Sequence, residues 1–379
     1  MPQKIAFIKV RSFSFINPKL IEQVERTFGD RYTIEVFDLK DWLIAHKPLL
    51  AMAYAEVWKE YWPALLRRKK RPNECLFVTE FIFDQIKRAM NQRINSRDYA
   101  FTFQTQTMFD ASVPGVPHFI YTDHTVKANL HYPVIDRQKV LFSDPWMALE
   151  PEVYVNATKV FTASNFARDS VIGDYAIDPE RVACVYTGIN VAIDPPANKD
   201  YAGQHIVFVG VEWERKGGPE TVAAFRQALK VCPQARLTIV GCTPEIDLPN
   251  CTVVGRVSKE EVARYLREAT IFCMPSRIEP AGIAFTEAAM YKLPVLSASS
   301  GGIPDRVIHG ETGYLIDVGD SETLARYLIE LLQDPEKCRA MGEAGYRLAS
   351  EHFTWERVGD VIHDQIVPYL AINTPARRD

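Results

Sequence analysis

Strand-like and helix-like stretches alternate along nearly all of this 379-residue chain, and that alternation restricts the fold more than any other feature. Short apolar runs bounded by turn residues read as strands at 4–10, 32–37, 76–79, 116–121 and 159–162. Helical stretches fall at 18–28, 48–70 and 165–176, the last opened by Ser164 and Asn165 as caps. The second half is cleaner. Strands are expected at 205–210, 235–240, 251–255, 269–274, 294–298 and 313–317. Helices are expected at 220–230, from the capping box Ser258–Glu261 to about 268, and at 283–291, 321–332, 335–350 and 355–370. Strands alternating with helices imply parallel sheets with right-handed crossovers. About eleven strands are too many for one doubly wound domain. Residues 192–204 are polar and aperiodic, and Pro195 and Pro196 lie within them, so they read as a linker. The expectation is an α/β chain of two Rossmann-like, parallel-sheet domains joined near 187–204.

Composition removes several classes. With 47% apolar and 24% charged residues the chain is globular rather than disordered. A net charge of −4 argues against a duplex nucleic-acid binder. The balance is uneven, with 24 Lys and Arg against 22 Asp and Glu in residues 1–190, and 20 against 26 in 191–379. Seven scattered cysteines with no Cys-x-x-Cys argue against a zinc ribbon and against a disulfide scaffold. No apolar run reaches the roughly 18–20 residues of a membrane span. Residues 4–10 read as a strand and not as a signal peptide, so a reduced, cytoplasmic setting is expected.

Candidate chemistry is concentrated in the second half. Glu279-Pro-Ala-Gly-Ile-Ala-Phe-Thr-Glu287 places two glutamates around a strand-to-helix junction at Gly282. The first N–H groups of a helix lack intrahelical partners and favour anions. Ala281, Gly282 and Ala284 are small, so a phosphate can approach the backbone through Ile283. Glu287, about a turn further on, is placed for a ribose diol, and Glu279 for sugar hydroxyls. On spacing alone, a capped helix with two surface glutamates fits equally well. A second group, Phe208-Val-Gly210-Val211-Glu-Trp-Glu-Arg215-Lys216-Gly217-Gly218, puts two cations beyond a strand end, where α/β sheets bind ligands and where a diphosphate needs charge. A solvated charged turn is the plain alternative. A third, Ser299-Ser-Gly301-Gly302-Ile-Pro-Asp305 with His309-Gly-Glu-Thr-Gly313, permits a tight loop and is weak alone.

In order and spacing these segments, with Val254-Gly-Arg256-Val257, Phe272-Cys-Met-Pro-Ser276 and Phe353-Thr-Trp-Glu356, resemble the donor half of a family 4 retaining glycosyltransferase with the two-domain GT-B fold. The resemblance is dense over 205–357. It implies an acceptor-binding domain at 1–190, a nucleotide-sugar donor domain at 191–354, and a C-terminal helix at about 355–379 crossing back to the first domain. It also implies a diphosphate-binding role for Lys216, ribose binding by Glu287, a donor-sugar contact for Glu279, and a nucleobase contact near Arg256. The family usually has an arginine after the glycine read as Gly210. Here Val211 stands there, and Arg215 is the substitute cation.

The first half matches more loosely, through Thr162-Ala-Ser-Asn-Phe-Ala-Arg168 and Val185-Tyr-Thr-Gly-Ile-Asn190. The glycine-rich loop of many members is replaced by Arg11-Ser12-Phe-Ser14-Phe15, whose side chains are then candidates for donor or acceptor contacts. The stretch Asp98 to Gln106 has no histidine where relatives often present one. Asp123 and His124 form the better polar cluster for orienting an acceptor hydroxyl, with a structural histidine as the equal alternative for His124. Gln106 joins them as an acceptor-side candidate. His118 and His363 read as structural.

The resemblance implies front-face transfer with retention. The leaving phosphate takes the proton, and with no Asp-x-Asp neither a metal nor another cofactor is expected. The donor is a UDP-, GDP- or ADP-sugar and the acceptor a carbohydrate, a lipid-linked glycan or a small molecule. A non-catalytic nucleotide-sugar subunit, or an epimerase or phosphorylase on the same fold, are the alternatives. The basic run Arg67-Arg68-Lys69-Lys70-Arg71 follows Trp58, Tyr61, Trp62, Leu65 and Leu66. It reads either as a solvated helix end complementing the dipole or as a peripheral membrane contact.

Overall fold

All strand pairings in the computed structural model, which describes residues 3–10, 16–190, 193–197 and 199–372, are parallel. The first sheet holds β1 (Lys4–Lys9), β2 (Thr33–Asp38), β3 (Tyr99–Thr105), β4 (His118–Thr122), β5 (Lys159–Thr162) and β6 (Val182–Cys184), in the order β2-β1-β3-β4-β5-β6. The second holds β7 (His205–Val209), β8 (Arg236–Val240), β9 (Cys251–Gly255), β10 (Ile271–Cys273), β11 (Val295–Ala298) and β12 (Gly313–Ile316), in the order β12-β11-β10-β7-β8-β9. Helices on both faces bury these strands, which is why β4 and β10 are buried at every residue. The chain is α/β and doubly wound. It divides into two compact units: residues up to 131, 135–186 and from 355 onward, and residues 132–134 with 187–354.

In the first unit, aromatic rings tie neighbouring strands. Phe7 stacks on Phe103 at 5.4 Å between centroids, and Phe101 meets Phe119 edge-on at 5.5 Å. The helix Trp355–Ile372 packs here against Ile16–Phe28. Arg26 donates to the Asp360 carboxylate at 2.6 Å and to Glu356 O at 2.9 Å, and Phe28 contacts the His363 ring.

Two expectations need correction, and one strand was not foreseen. Residues 76–79 are not a strand. They form a buried turn after the short helix Pro72–Cys75, with Leu76, Phe77 and Val78 in the core and Thr79 capping the helix Glu80–Arg93. A short apolar run fits any fully buried segment, and here Tyr61 Oη holds the Val78 carbonyl. The helix expected over 48–70 is Lys47–Leu66 and stops where Arg68 takes a left-handed φ of +53°. Residues 99–105 are a central strand, although Thr102, Gln104 and Thr105 break the apolar run. Their polarity is absorbed locally: Thr102 Oγ1 bonds His118 Nδ1 at 2.6 Å, and Gln104 donates to Phe109 O at 2.7 Å and accepts from Ala111 N at 2.9 Å. Among the described residues no helix is long and apolar enough to cross a membrane.

Both sheets have one point where the chain leaves in opposite directions. In the second unit it runs from β7 outward through β8 to β9, then returns to the other side of β7 as β10. Crossovers there leave on opposite faces, and a crevice opens beyond the carboxyl ends of β7 and β10. In the first unit the equivalent point lies between β1 and β3.

Candidate active site

Beyond β7 the chain passes Gly210 and turns through 211–216 before the helix Gly218–Ala228. Lys216 N–H closes that turn on Glu212 O at 2.9 Å. Gly217, at φ +75°, is required here: a Cβ would lie 2.0 Å from Pro275 O, on the loop that leaves β10. The two loops are therefore in backbone contact, and Arg277 N–H donates to Arg215 O at 2.8 Å. This contact brings Lys216 Nζ onto Glu279 Oε2 as an ion pair, although the two residues are 63 apart in sequence. The side chains are only 13% and 11% exposed. Arg215 donates to Glu212 at 2.7 Å and to Ile278 O at 2.7 Å, so its guanidinium lies against the backbone next to Glu279.

Glu279 leads into Ala281 and Gly282, which opens the helix Ile283–Met290. Ala281 and Gly282 are buried, while Ile283 and Ala284 are partly exposed on the first turn, whose N–H groups have no intrahelical partner. The third motif braces this segment. Gly302 N–H donates to Glu279 O at 2.8 Å, and a Cβ on Gly301 (φ +57°) would lie 2.1 Å from that same oxygen. The crevice at the β7/β10 switch point thus gathers one cation, one carboxylate and a helix start. That set suits a diphosphate attached to a polyhydroxylated group.

Glu287 sits half-buried on the same helix. Burial pushes its carboxyl up to about 7, with the Lys259 charge acting in the opposite sense. Arg256 is exposed just past Gly255 at the end of β9, and Gly255 O accepts from Gly241 N at 2.7 Å, so it lies beside the carboxyl end of β8.

In the first unit, Asp123 and His124 follow β4. The His124 ring is buried against Phe166 and its Nε2 bonds Asn129 Oδ1 at 3.1 Å, while burial pushes the imidazole down to about 4 and keeps it neutral. Gln106 directly follows β3 at a left-handed φ of +69°, a conformation that costs energy for a non-glycine residue. Its Oε1 and Thr105 Oγ1 are buried without a hydrogen-bond partner. Both lie at the first unit's switch point, beside the end of β1. Arg11 and Ser12 lie outside the described residues. His118 is enclosed and bonded to Thr102, and burial pushes it down to about 4.

Sequence reasoning missed three supports. Arg306, 3% exposed, donates to Ala281 O at 3.0 Å and to Thr187 O at 3.4 Å, with its guanidinium 3.9 Å from the Phe353 ring centre. Glu220, on the helix after Lys216, accepts from Arg277 Nε at 2.9 Å and steadies the Glu279 loop. Glu150 is enclosed beneath the 123–127 loop, accepting from Val126 N at 3.2 Å, and burial pushes its carboxyl up to about 7. No local signal marks Arg306, which follows the charged Asp305 and bonds carbonyls 25 and 119 residues away in sequence.

Comparison with known proteins agrees with the second unit's geometry. Residues 193–348 match the family model described as glycosyl transferases group 1. This segment is therefore similar to group 1 glycosyltransferases. Alpha-maltose-1-phosphate synthase of Mycolicibacterium smegmatis is 29% identical over 240 residues, 54% of this chain and 61% of that protein. A GDP-mannose-dependent monoacylated alpha-(1-6)-phosphatidylinositol monomannoside mannosyltransferase of Corynebacterium glutamicum is 32% identical over 163 residues, 38% of this chain and 42% of that one. The chain thus spans about half the length of the curated relatives it matches. The fold extends further than the sequence match. Sucrose-phosphate synthase from Thermosynechococcus elongatus superposes with a TM-score of 0.69 at 18% identity, covering 98% of this chain and all of that one. Anabaena HepE, solved with UDP and glucose, gives 0.62 at 14% identity, covering 97% of this chain and 100% of that one. The matched segment is therefore the second half of a GT-B fold, with Lys216 and Glu279 at its switch point.

Proposed function

We propose that the chain transfers a sugar from a nucleoside diphosphate sugar to a hydroxyl acceptor, with retention and without a metal ion or other cofactor. The observation that carries this reading is the meeting of Lys216 and Glu279 beside the start of the helix Ile283–Met290. In the unliganded site each neutralises the other. A diphosphate on the helix N–H groups draws Lys216 away, which frees the Glu279 carboxylate to accept from hydroxyls of the donor sugar. Arg215 is the second cation, in place of the arginine that Val211 lacks. Glu287 accepts from the ribose, and Arg256 lies beside the base. With charge already placed where the leaving diphosphate develops, the barrier falls without reorganisation. No Asp-x-Asp is present in the sequence, so the charge falls to Lys216, Arg215 and the helix start. The first unit takes the acceptor through Gln106, Asp123, His124 and the Arg11–Ser12 segment, the acceptor being a carbohydrate or lipid-linked hydroxyl.

The test is a hydrolysis and transfer screen with UDP-, GDP- and ADP-sugars in the presence of a chelator. The anomeric configuration of the product is read by NMR. Release of one nucleoside diphosphate with an axial product is expected. Donor binding without product from any acceptor would instead favour a nucleotide-sugar binding subunit.

Glu287 gives a pH prediction. Its carboxylate accepts ribose hydroxyls only when ionised, and its midpoint is raised to about 7. Donor affinity is therefore expected to rise from pH 6 to 8 and to fall by up to about tenfold per unit below 7. Calorimetric titration of the donor across this range checks it. Glu287→Gln should bind weakly and show a flat profile, and an unchanged slope in that variant would remove Glu287 from the ribose.

A further inference from the structure

The helix Lys47–Leu66 carries large apolar residues on opposite sides, more than a helix with a single buried stripe needs. Only one side is enclosed. Ala53, Val57 and Tyr61 are buried, and Tyr61 Oη also accepts from Ser143 N at 3.0 Å. On the opposite side Met52, Trp58, Trp62 and Leu66 are 49%, 51%, 56% and 66% exposed, within about a third of the helix circumference. Large apolar side chains grouped in this way mark an interaction surface, whereas scattered ones do not.

The charge at the C-terminal end of this face is mainly positive, with Glu74 the exposed acidic neighbour. The chain reverses at Arg68 and leaves Arg67, Arg68 and Arg71 exposed at the helix end. The other two cations of the basic run serve the fold: Lys69 pairs with Asp136 at 2.8 Å, and Lys70 is buried over the Phe142 ring. The acidic residues of the helix lie off the exposed face. Glu56 pairs with Lys59 at 3.0 Å, and Glu60 accepts from Ser143 Oγ at 2.6 Å. A second copy of the chain would bring the same positive charge to the contact. An anionic lipid surface is complementary to both halves of the patch: tryptophans settle at the headgroup boundary, and arginines meet the headgroup charge.

We propose that this face docks the first unit on an anionic bilayer surface, with Trp58, Trp62 and Leu66 entering the headgroup region and Arg67, Arg68 and Arg71 at its phosphates. Docking is read with no donor or acceptor present, so it succeeds or fails separately from sugar transfer.

The experiment is co-sedimentation of the full chain with phosphatidylcholine vesicles, with and without phosphatidylglycerol, alongside tryptophan emission. Binding is expected only with the anionic lipid, with a blue shift, and is expected to weaken as salt rises. The triple variant Arg67→Gln, Arg68→Gln, Arg71→Gln should lower the partition coefficient about a hundredfold. The pair Trp58→Ser, Trp62→Ser should lower it at least about tenfold with an unchanged circular dichroism spectrum. Failure to sediment with anionic vesicles overturns the proposal, and so does binding that survives the triple arginine variant. Self-association in the absence of lipid that the Trp pair abolishes would assign the face to a second copy and overturn it equally.

Discussion

Lys216→Ala is expected to lower kcat/KM for sugar transfer by about 10²–10³-fold, the usual loss when one preorganised charge is removed from a developing anion. The same change should also destabilise the second unit. Glu279 is left 8% exposed, with Ser276 Oγ at 3.4 Å as a weak remaining donor. Stripping one partner from a fully buried pair costs about 3–5 kcal/mol, and this pair, roughly a tenth exposed, should fall at about 2–3 kcal/mol. The two effects are separable. In the double variant Lys216→Met, Glu279→Gln the stranded charge is gone, so the melting temperature should return toward the parent while the rate does not. Initial rates and thermal unfolding on the same preparations decide it. A double variant that regains activity, or a single variant within a few-fold of the parent rate, would count against Lys216 as the diphosphate cation.

Arg306→Met should give the largest stability loss of any single change near the site. The guanidinium holds Ala281 O, Thr187 O and the face of Phe353 at once. Methionine fills the volume but leaves the two carbonyls without a charged donor. Two buried carbonyls left without donors, at about 1–3 kcal/mol each, cost about 3–5 kcal/mol, or roughly 10 °C in melting temperature for a unit of this size. Arg306→Lys should recover only part, because one compact ammonium cannot serve three directions. Donor affinity should fall with it, since Ala281 belongs to the loop proposed to meet the diphosphate. Thermal unfolding followed with and without donor checks both parts, and an Arg306→Met protein melting with the parent would refute the account.

What could be read in advance follows from where each residue's constraint resides. Strands β7, β8 and β11 are mostly apolar because parallel strands are covered on both faces, and their position in the sequence was plain. Strand β3 was hidden, because Thr102 and Gln104 look like loop residues until His118 and the Phe109–Ala111 backbone arrive to satisfy them. The turn at 76–79 failed in the opposite sense: burial made it apolar without making it extended. At the site, Lys216 and Glu279 were nominated by local motifs, but their ion pair depends on Gly217 meeting Pro275 O, a contact between two distant loops. Arg306 and Glu150 depend wholly on such contacts. No spacing within the chain marks a charged residue whose partners are carbonyls far away in sequence.

The helix Trp355–Ile372 belongs to the unit that the chain begins, although the other unit is complete before it. The consequence is one of timing. During synthesis, residues 187–354 can close their core as soon as they emerge. The earlier unit must wait with the Ile16–Phe28 helix uncovered on the side that Gly359, Asp360 and His363 will occupy. Its Phe28 and Phe119 rings, which His363 and Tyr369 contact, stay open to solvent or to a chaperone until that helix arrives. Premature termination within that helix would therefore damage the half of the molecule made first and spare the half made last.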